Sequence, residues 1–229
     1  MGTITEIPKD KYERDPMLRM EVLNYDHPAL RKPGVPVTQD QLSYVKYLHL
    51  FMDQVVGAHP VESFGIAANQ MGIEENFFLI NADIIGQDSN LETYQVINPR
   101  ILIYGEDKTT AVESCMSIPG VPAKIERSDH ILATWQDREW ETHTENLSGF
   151  AARVFQHEFD HLAGKMLVDS LNKPVHSHII RKLNKNRKIA KLQLRDLGDN
   201  PGLIFLNRYD EVLEESLKQN KENENEQTD

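Results

Sequence analysis

The chain has no apolar run near the roughly 20 residues needed to cross a bilayer, so no membrane partner is expected. It has a single cysteine, Cys115, which excludes an intramolecular disulfide. The opening MGTITEIPKDKYERD mixes acids and bases around no apolar centre. It reads as neither a secretory signal nor a transit peptide, which makes a cytoplasmic protein the expectation. Positive charge is also in deficit, with 25 basic against 36 acidic residues and a net charge of −11. That balance argues against broad or sequence-specific nucleic-acid binding. No internal repeat is visible.

The 229 residues suffice for one well-buried domain with appendages, and 39% hydrophobic with 27% charged residues fits a globular protein. Charge is unevenly spread. Tyr209 to Asp229 holds eight acids and two lysines, whereas RKLNKNRKIAKLQLR, Arg181 to Arg195, holds seven bases and no acid. A basic helix followed by a solvated acidic tail is expected. The expected division is an N-terminal extension over 1–19, a main domain over 20–172, a basic helix and following segment over 173–204, and a disordered tail over 205–229.

Residues 38–57 have the marks of a helix. Thr38 and Gln41 have capping-box spacing, Leu42, Val45, Leu48, Met52 and Val55 form a stripe, and Gly57 and Pro60 end it. Phe77–Ile80, Tyr94–Ile97, Arg100–Tyr104 and Ile131–Trp135 read as short strands of a mostly antiparallel, mixed sheet, because their links are too short for helical crossovers. A second helix is expected from Ser148 to Ala163, stopped by Gly164, and a third from Pro174, with Val175, Ile179 and Leu183 on its apolar face. The fold class is α+β. The sheet is expected to pack around a central helix bearing the motif described next, with a C-terminal helix added.

That motif is HEFDH, His157 to His161. Residues four apart share one face of a helix, so both imidazoles can reach one ion, and Glu158 can contact a water on it. Phe150 and Val154 extend the histidine stripe toward the helix start, giving the pair an apolar wall. Two incidental histidines on a surface helix would be the bland alternative, but the intervening Glu makes it the weaker one. The other histidines, at 27, 49, 59, 130, 143, 176 and 178, show no ligand spacing, and Trp135 and Trp140 read as packing residues.

A catalytic metal site ordinarily has three protein ligands and one open position. Downstream, Asp169, His176 and His178 lack the metzincin continuation, and Asp169 qualifies only by residue type. Upstream, Cys115 lies in ESCMSIPG, and a thiolate ligand there would account for the only cysteine.

SFGIAANQ (63–70), ESCMS (113–117) and QHEFDH (156–161) together resemble, in order, the three motifs of the peptide deformylases: G-x-G-x-A-A-x-Q, E-G-C-L-S and Q-H-E-x-D-H. The resemblance runs from about Met20 to Asp169. It implies removal of the formyl group from the N-terminal formylmethionine of newly made polypeptides. It implies that Cys115, His157 and His161 bind the metal and that Glu158 shuttles the proton. It further implies that the Gln70 side chain and the Met116 backbone N–H stabilise the oxyanion. Gly65 and Ile66 resemble residues that line the cleft and pair with the peptide backbone. Phe150 and Val154 are the candidates for a methionine pocket, or else ordinary helix core. Glu113 is a candidate for fixing the cysteine loop or supporting a ligand. The basic 181–195 helix would contact the ribosome, as in relatives, or else lie solvated against the domain.

The chain departs from the pattern at Ser63, Ser114 (both glycine in the family) and Asn69 (proline). A serine forced to positive φ would cost about 1 kcal/mol. A His₂Cys set suits zinc and tolerates iron(II), nickel or cobalt; the family resemblance implies one divalent ion, iron(II), with zinc or nickel as substitutes. Two rival functions remain. A zinc endopeptidase would keep its metal without Cys115. A degenerate relative would bind nascent chains or the ribosome without turnover.

Overall fold

The computed structural model describes residues 22–42, 45, 46, 48, 49, 52, 64–86 and 93–195. The expected 1–19 extension, the 205–229 tail and Ser63 lie outside them. The described residues include seven strands: β1 (Gly65–Ala67), β2 (Phe77–Asn81), β3 (Thr93–Tyr104), β4 (Lys108–Cys115), β5 (Ile118–Ser128), β6 (His130–Gln136) and β7 (Thr142–Ser148). Two helices follow, α1 (Gly149–Leu162) and α2 (Lys173–Arg195). The architecture is α+β. Strands β1-β2-β3-β6-β7 form one sheet and β4-β5 a second, and every pair of named strands is antiparallel. The parallel part of the expected mixture reduces to an isolated bridge between Val35 and Glu75.

The expected strands 94–97 and 100–104 are one strand. Its pairing with β6 slips between Ile97 and Arg100 rather than stopping. Asn98 takes up the irregularity with φ 48, and its side-chain amide exchanges two 2.8 Å hydrogen bonds with the backbone of Val37. Asparagine tolerates this left-handed conformation better than most residues. Strands β1, β4, β5 and β7 were not foreseen. β7, THTENLS, buries only Leu147, and a strand so polar is defined by its continuous pairing with β6 rather than by its own alternation.

Helix α1 packs on β1, β2, β6 and β7 through Ala152, Val154, Phe155 and Leu162, which join Phe78, Ile80, Val96 and Trp135 in one core. The ring of Phe155 meets those of Phe78 and Trp135 at 5.1 and 5.6 Å. Gly164 ends the helix region with φ 72, and a side chain there would strike the Arg31 carbonyl. At the start of the first expected helix, Gln41 Oε1 accepts from the Thr38 backbone N–H and hydroxyl. Val45, Leu48 and Met52 are fully buried against Phe77, Leu79 and Ile97; Val55 and the stop at Gly57 lie outside the described residues. On α2, Ile179 and Leu183 are buried against the β5 side, while Val175, expected on the same face, is exposed in the first turn. Among the described residues no helix is long and apolar enough to cross a membrane.

Candidate metal centre

Strands β4 and β5 are joined through Met116 and Ser117, so Cys115 stands at the tip of a hairpin paired with Ile118. The register shifts between Glu113 and Cys115. Ser114 lies exposed at the shift while Glu113 and Cys115 turn inward. Ser114 has no positive φ, so the expected penalty for replacing glycine does not arise there.

Helix α1 supplies the rest. His157 and His161, one turn apart, have ring centroids 5.1 Å from each other. Cys115 Sγ lies 3.2 Å from His161 Nε2. One ligand atom from each of Cys115, His157 and His161 falls within 4.8 Å of the others, the only such group of three among the described residues. Soft thiolate plus two imidazoles is a donor set for a divalent transition metal, and the residues fit one. Asp169 is elsewhere, bonded to Arg31 and to the backbone N–H of Met166.

The tautomer of His157 follows from its partner. Glu113 Oε2 is 2.9 Å from Nδ1, and an ionised carboxylate can only accept, so a proton sits on Nδ1 and Nε2 is the nitrogen that could meet an ion. Glu113 also accepts from Arg127 Nε (2.6 Å) and Nη2 (2.9 Å) and from Arg153 Nη1 (2.7 Å). Arg127 reaches on to Asp160 at 2.8 Å. Burial alone would raise the Glu113 pKa, but His157 and Arg127 outweigh it and bring it down to about 2. The carboxylate suspected of supporting a ligand is therefore the hub of a buried ionic network. Arg127, Arg153 and Asp160 were not foreseen. Arg153 lies one turn before His157 on the same helix, a spacing that could have flagged it; Arg127 has no local signal.

In the protein alone, His157 is drawn up to about 10: burial opposes this, and Cys115, Glu113 and Glu158 override it. His161 is pushed well down by burial and by the charges of His157, Arg127 and Arg31. The pair thus carries one positive charge beside the sulfur, where a cation would compete for the same place.

Glu158 is buried, and its Oε2 makes no hydrogen bond to the protein. Burial is the main cause that lifts its pKa to about 7, helped by the charge of Glu113 and opposed by His157 and Arg127. Gly65 makes room for it: a Cβ there would lie 2.8 Å from Glu158 Cγ and Oε1. Gln70 sits in a 3-10 turn, Ala68–Met71, and is also buried. Its Oε1 accepts from the Ala67 N–H at 2.8 Å, which turns Nε2 toward Ser117 Oγ (3.2 Å) and Cys115 Sγ (3.7 Å). Gln156, at the start of QHEFDH, clamps α1 to β5 by bonding the backbone N–H and carbonyl of Ser128.

Cys115, His157, His161, Glu158, Gln70 and Gly65 thus converge, and Met116 follows Cys115 directly in the hairpin turn. The remaining expected residues divide. The Ile66 side chain is core, so only its backbone is available to a cleft. Val154 is likewise core, while Phe150 is exposed and packs edge-on to Phe64 at 4.9 Å, a neighbour the sequence reading had passed over.

Residues 19–177 match the model of the polypeptide deformylase family. The chain is 35% identical over 166 residues to a peptide deformylase of Thermotoga maritima, covering 72% of this chain and 93% of that one. The crystal structure of peptide deformylase from Thermotoga maritima superposes with a TM-score of 0.58 at 35% identity, covering 66% of this chain and 97% of that one. A Plasmodium falciparum peptide deformylase in complex with an inhibitor gives 0.59 at 27% identity, over 72% and 97%. By sequence and by fold, the chain belongs to the polypeptide deformylase family.

Proposed function

We propose that this deformylase removes the formyl group from N-terminal formylmethionine at a centre held by Cys115, His157 and His161, with Glu158 as the proton shuttle. The observation that carries the reading is a buried carboxylate with a free oxygen and a pKa near neutrality beside three convergent metal donors. A general acid–base works best with a pKa near the working pH. When bound, a divalent ion supplies a Lewis acid that polarises the formyl carbonyl and acidifies a water. Glu158 takes the proton from the attacking water and later delivers it to the departing amine. The Gln70 amide and the Met116 backbone N–H donate to the oxygen on which charge develops. We assign the ion as iron(II), from the family resemblance, with zinc or nickel able to occupy the same donors.

Among the described residues β1 lies at the edge of its sheet, where an extended peptide can add as a further strand along Gly65 and Ile66. Phe150 with Phe64 offers apolar surface for the methionine side chain, with Val154 behind it in the core. The test is formate release from formyl-Met-Ala-Ser by anaerobically purified protein, with its metal content measured. Glu158→Ala is expected to lower kcat by about a hundredfold or more while keeping the metal. Wild-type protein that holds one metal ion yet releases no formate would leave a degenerate binder instead.

The basic stretch 181–195 supports contact with the ribosome, and such a substrate source would place the protein in the cytoplasm. Ile179 and Leu183 belong to the core, so the test is truncation after residue 185 rather than removal of all of α2. Loss of ribosome co-sedimentation with unchanged formate release is expected, and unchanged co-sedimentation would exclude the contact.

A further inference from the structure

Asn69 is one of the positions at which the chain departs from the family pattern, where proline is usual. It is 4% exposed and immediately precedes Gln70. Its side-chain Nδ2 donates to the backbone carbonyl of His161. Only the amide NH₂ can face a carbonyl, which settles the orientation of the group. The acceptor belongs to the last turn of α1, where carbonyls lack intrahelical partners, and it also receives the Gly164 N–H at 2.9 Å. A proline has no side-chain donor, so this bond is an addition that the family pattern does not provide.

The bond adds a directed tie between two parts that already pack against each other. Gln70 is fixed to β1 through the Ala67 N–H and to the β4–β5 hairpin through Ser117. His161 is carried by α1. The Asn69 bond spans 92 residues of sequence and ties the turn bearing the oxyanion donor directly to the helix bearing a metal ligand. We propose that Asn69 is a positioning residue that holds the Gln70 amide in register with His161. An oxyanion donor acts only when it lies about 2.7–3.1 Å from the developing charge. Misplacement by about 1 Å can cost about a hundredfold. The inference rests on the reading of Gln70 given above. The effect belongs to the transition state, so it acts on kcat rather than on KM.

The experiment is a double-mutant cycle on the metal-loaded enzyme, with kcat and KM for formyl-Met-Ala-Ser and metal stoichiometry after dialysis. Asn69→Leu keeps the approximate shape without the donor, and Asn69→Ala serves as the second variant should the larger side chain disturb folding. Either is expected to lower kcat about tenfold, with KM within about twofold and metal content unchanged. In a Gln70→Ala background the same substitution is expected to change kcat little, because its target is gone. A kcat loss of equal size in that background would overturn the proposal, as would a loss confined to KM or metal content, or no loss at all. Turnover that survives Gln70→Ala undiminished would overturn the role of Gln70, and that of Asn69 with it.

Discussion

Helix α1 presents two faces built on different principles. Toward the five-stranded sheet it is apolar: Ala152, Phe155 and Leu162 meet Phe78, Ile80 and Trp135 with no polar partner required. Toward the β4–β5 hairpin it is polar and ionic: Arg153, Gln156, His157 and Asp160 meet Glu113, Arg127 and Ser128 through directed bonds. The first face is non-directional and supplies most of the attachment energy, because apolar burial scales with area. The second fixes angles. Buried ionic groups contribute little net stability compared with well-packed apolar ones, but each bond constrains an orientation. An enzyme centre needs its ligands held in one geometry, and only the second face can do that.

If the two faces divide labour in this way, substitutions on them should fail differently. On the apolar side, Phe155→Ala should destabilise by about 3–5 kcal/mol in urea unfolding, with kcat per folded molecule nearly unchanged. On the polar side, Glu113→Gln should weaken metal affinity by about 10–100-fold in a chelator competition, since loss of a carboxylate behind a ligating histidine typically does so. An equal loss of kcat per folded molecule in Phe155→Ala would erase the distinction.

Glu113 also gives a pH signature. Its folded pKa of about 2 lies below the ordinary 4.5, so its contribution is full above about 4.5 and is lost as pH falls toward 2. Wild-type stability should decline across that window, and Glu113→Gln should show a shallower decline there. The smallest effect is expected at Ser114→Gly. Ser114 is exposed and without positive φ, so restoring the family glycine should shift stability by about 0.5 kcal/mol or less and leave metal affinity unchanged.

The parts of this site that were readable in the sequence share one property. His157, Glu158 and His161 are related by helical spacing, and α1 was foreseen within a residue or so at each end. Cys115 and Gln70 stood in motifs short enough to recognise. What escaped notice depends on pairing at a distance. Arg127 meets Glu113 and Asp160, 14 and 33 residues away, through a hairpin register and a helix packed across it. The slip at Asn98 made one strand look like two, because a bulge interrupts alternation without ending the ladder. Whether Val154 faced a pocket or the helix core was open in the sequence, and the packing of sheet and helix turns its side chain and that of Ile66 inward, leaving the Ile66 backbone at the sheet edge.

By itself the sequence determined the helix that carries two histidines one turn apart with a glutamate beside the first, because that geometry repeats every turn whatever surrounds it. The tertiary structure decided the third donor's approach, the burial that lifts Glu158 toward neutrality, the tautomer of His157 and the hydrogen bond from Asn69 to the His161 carbonyl. Each of these depends on which strands and loops close over the helix, and desolvation and hydrogen-bond direction arise only when segments distant in the chain come into contact.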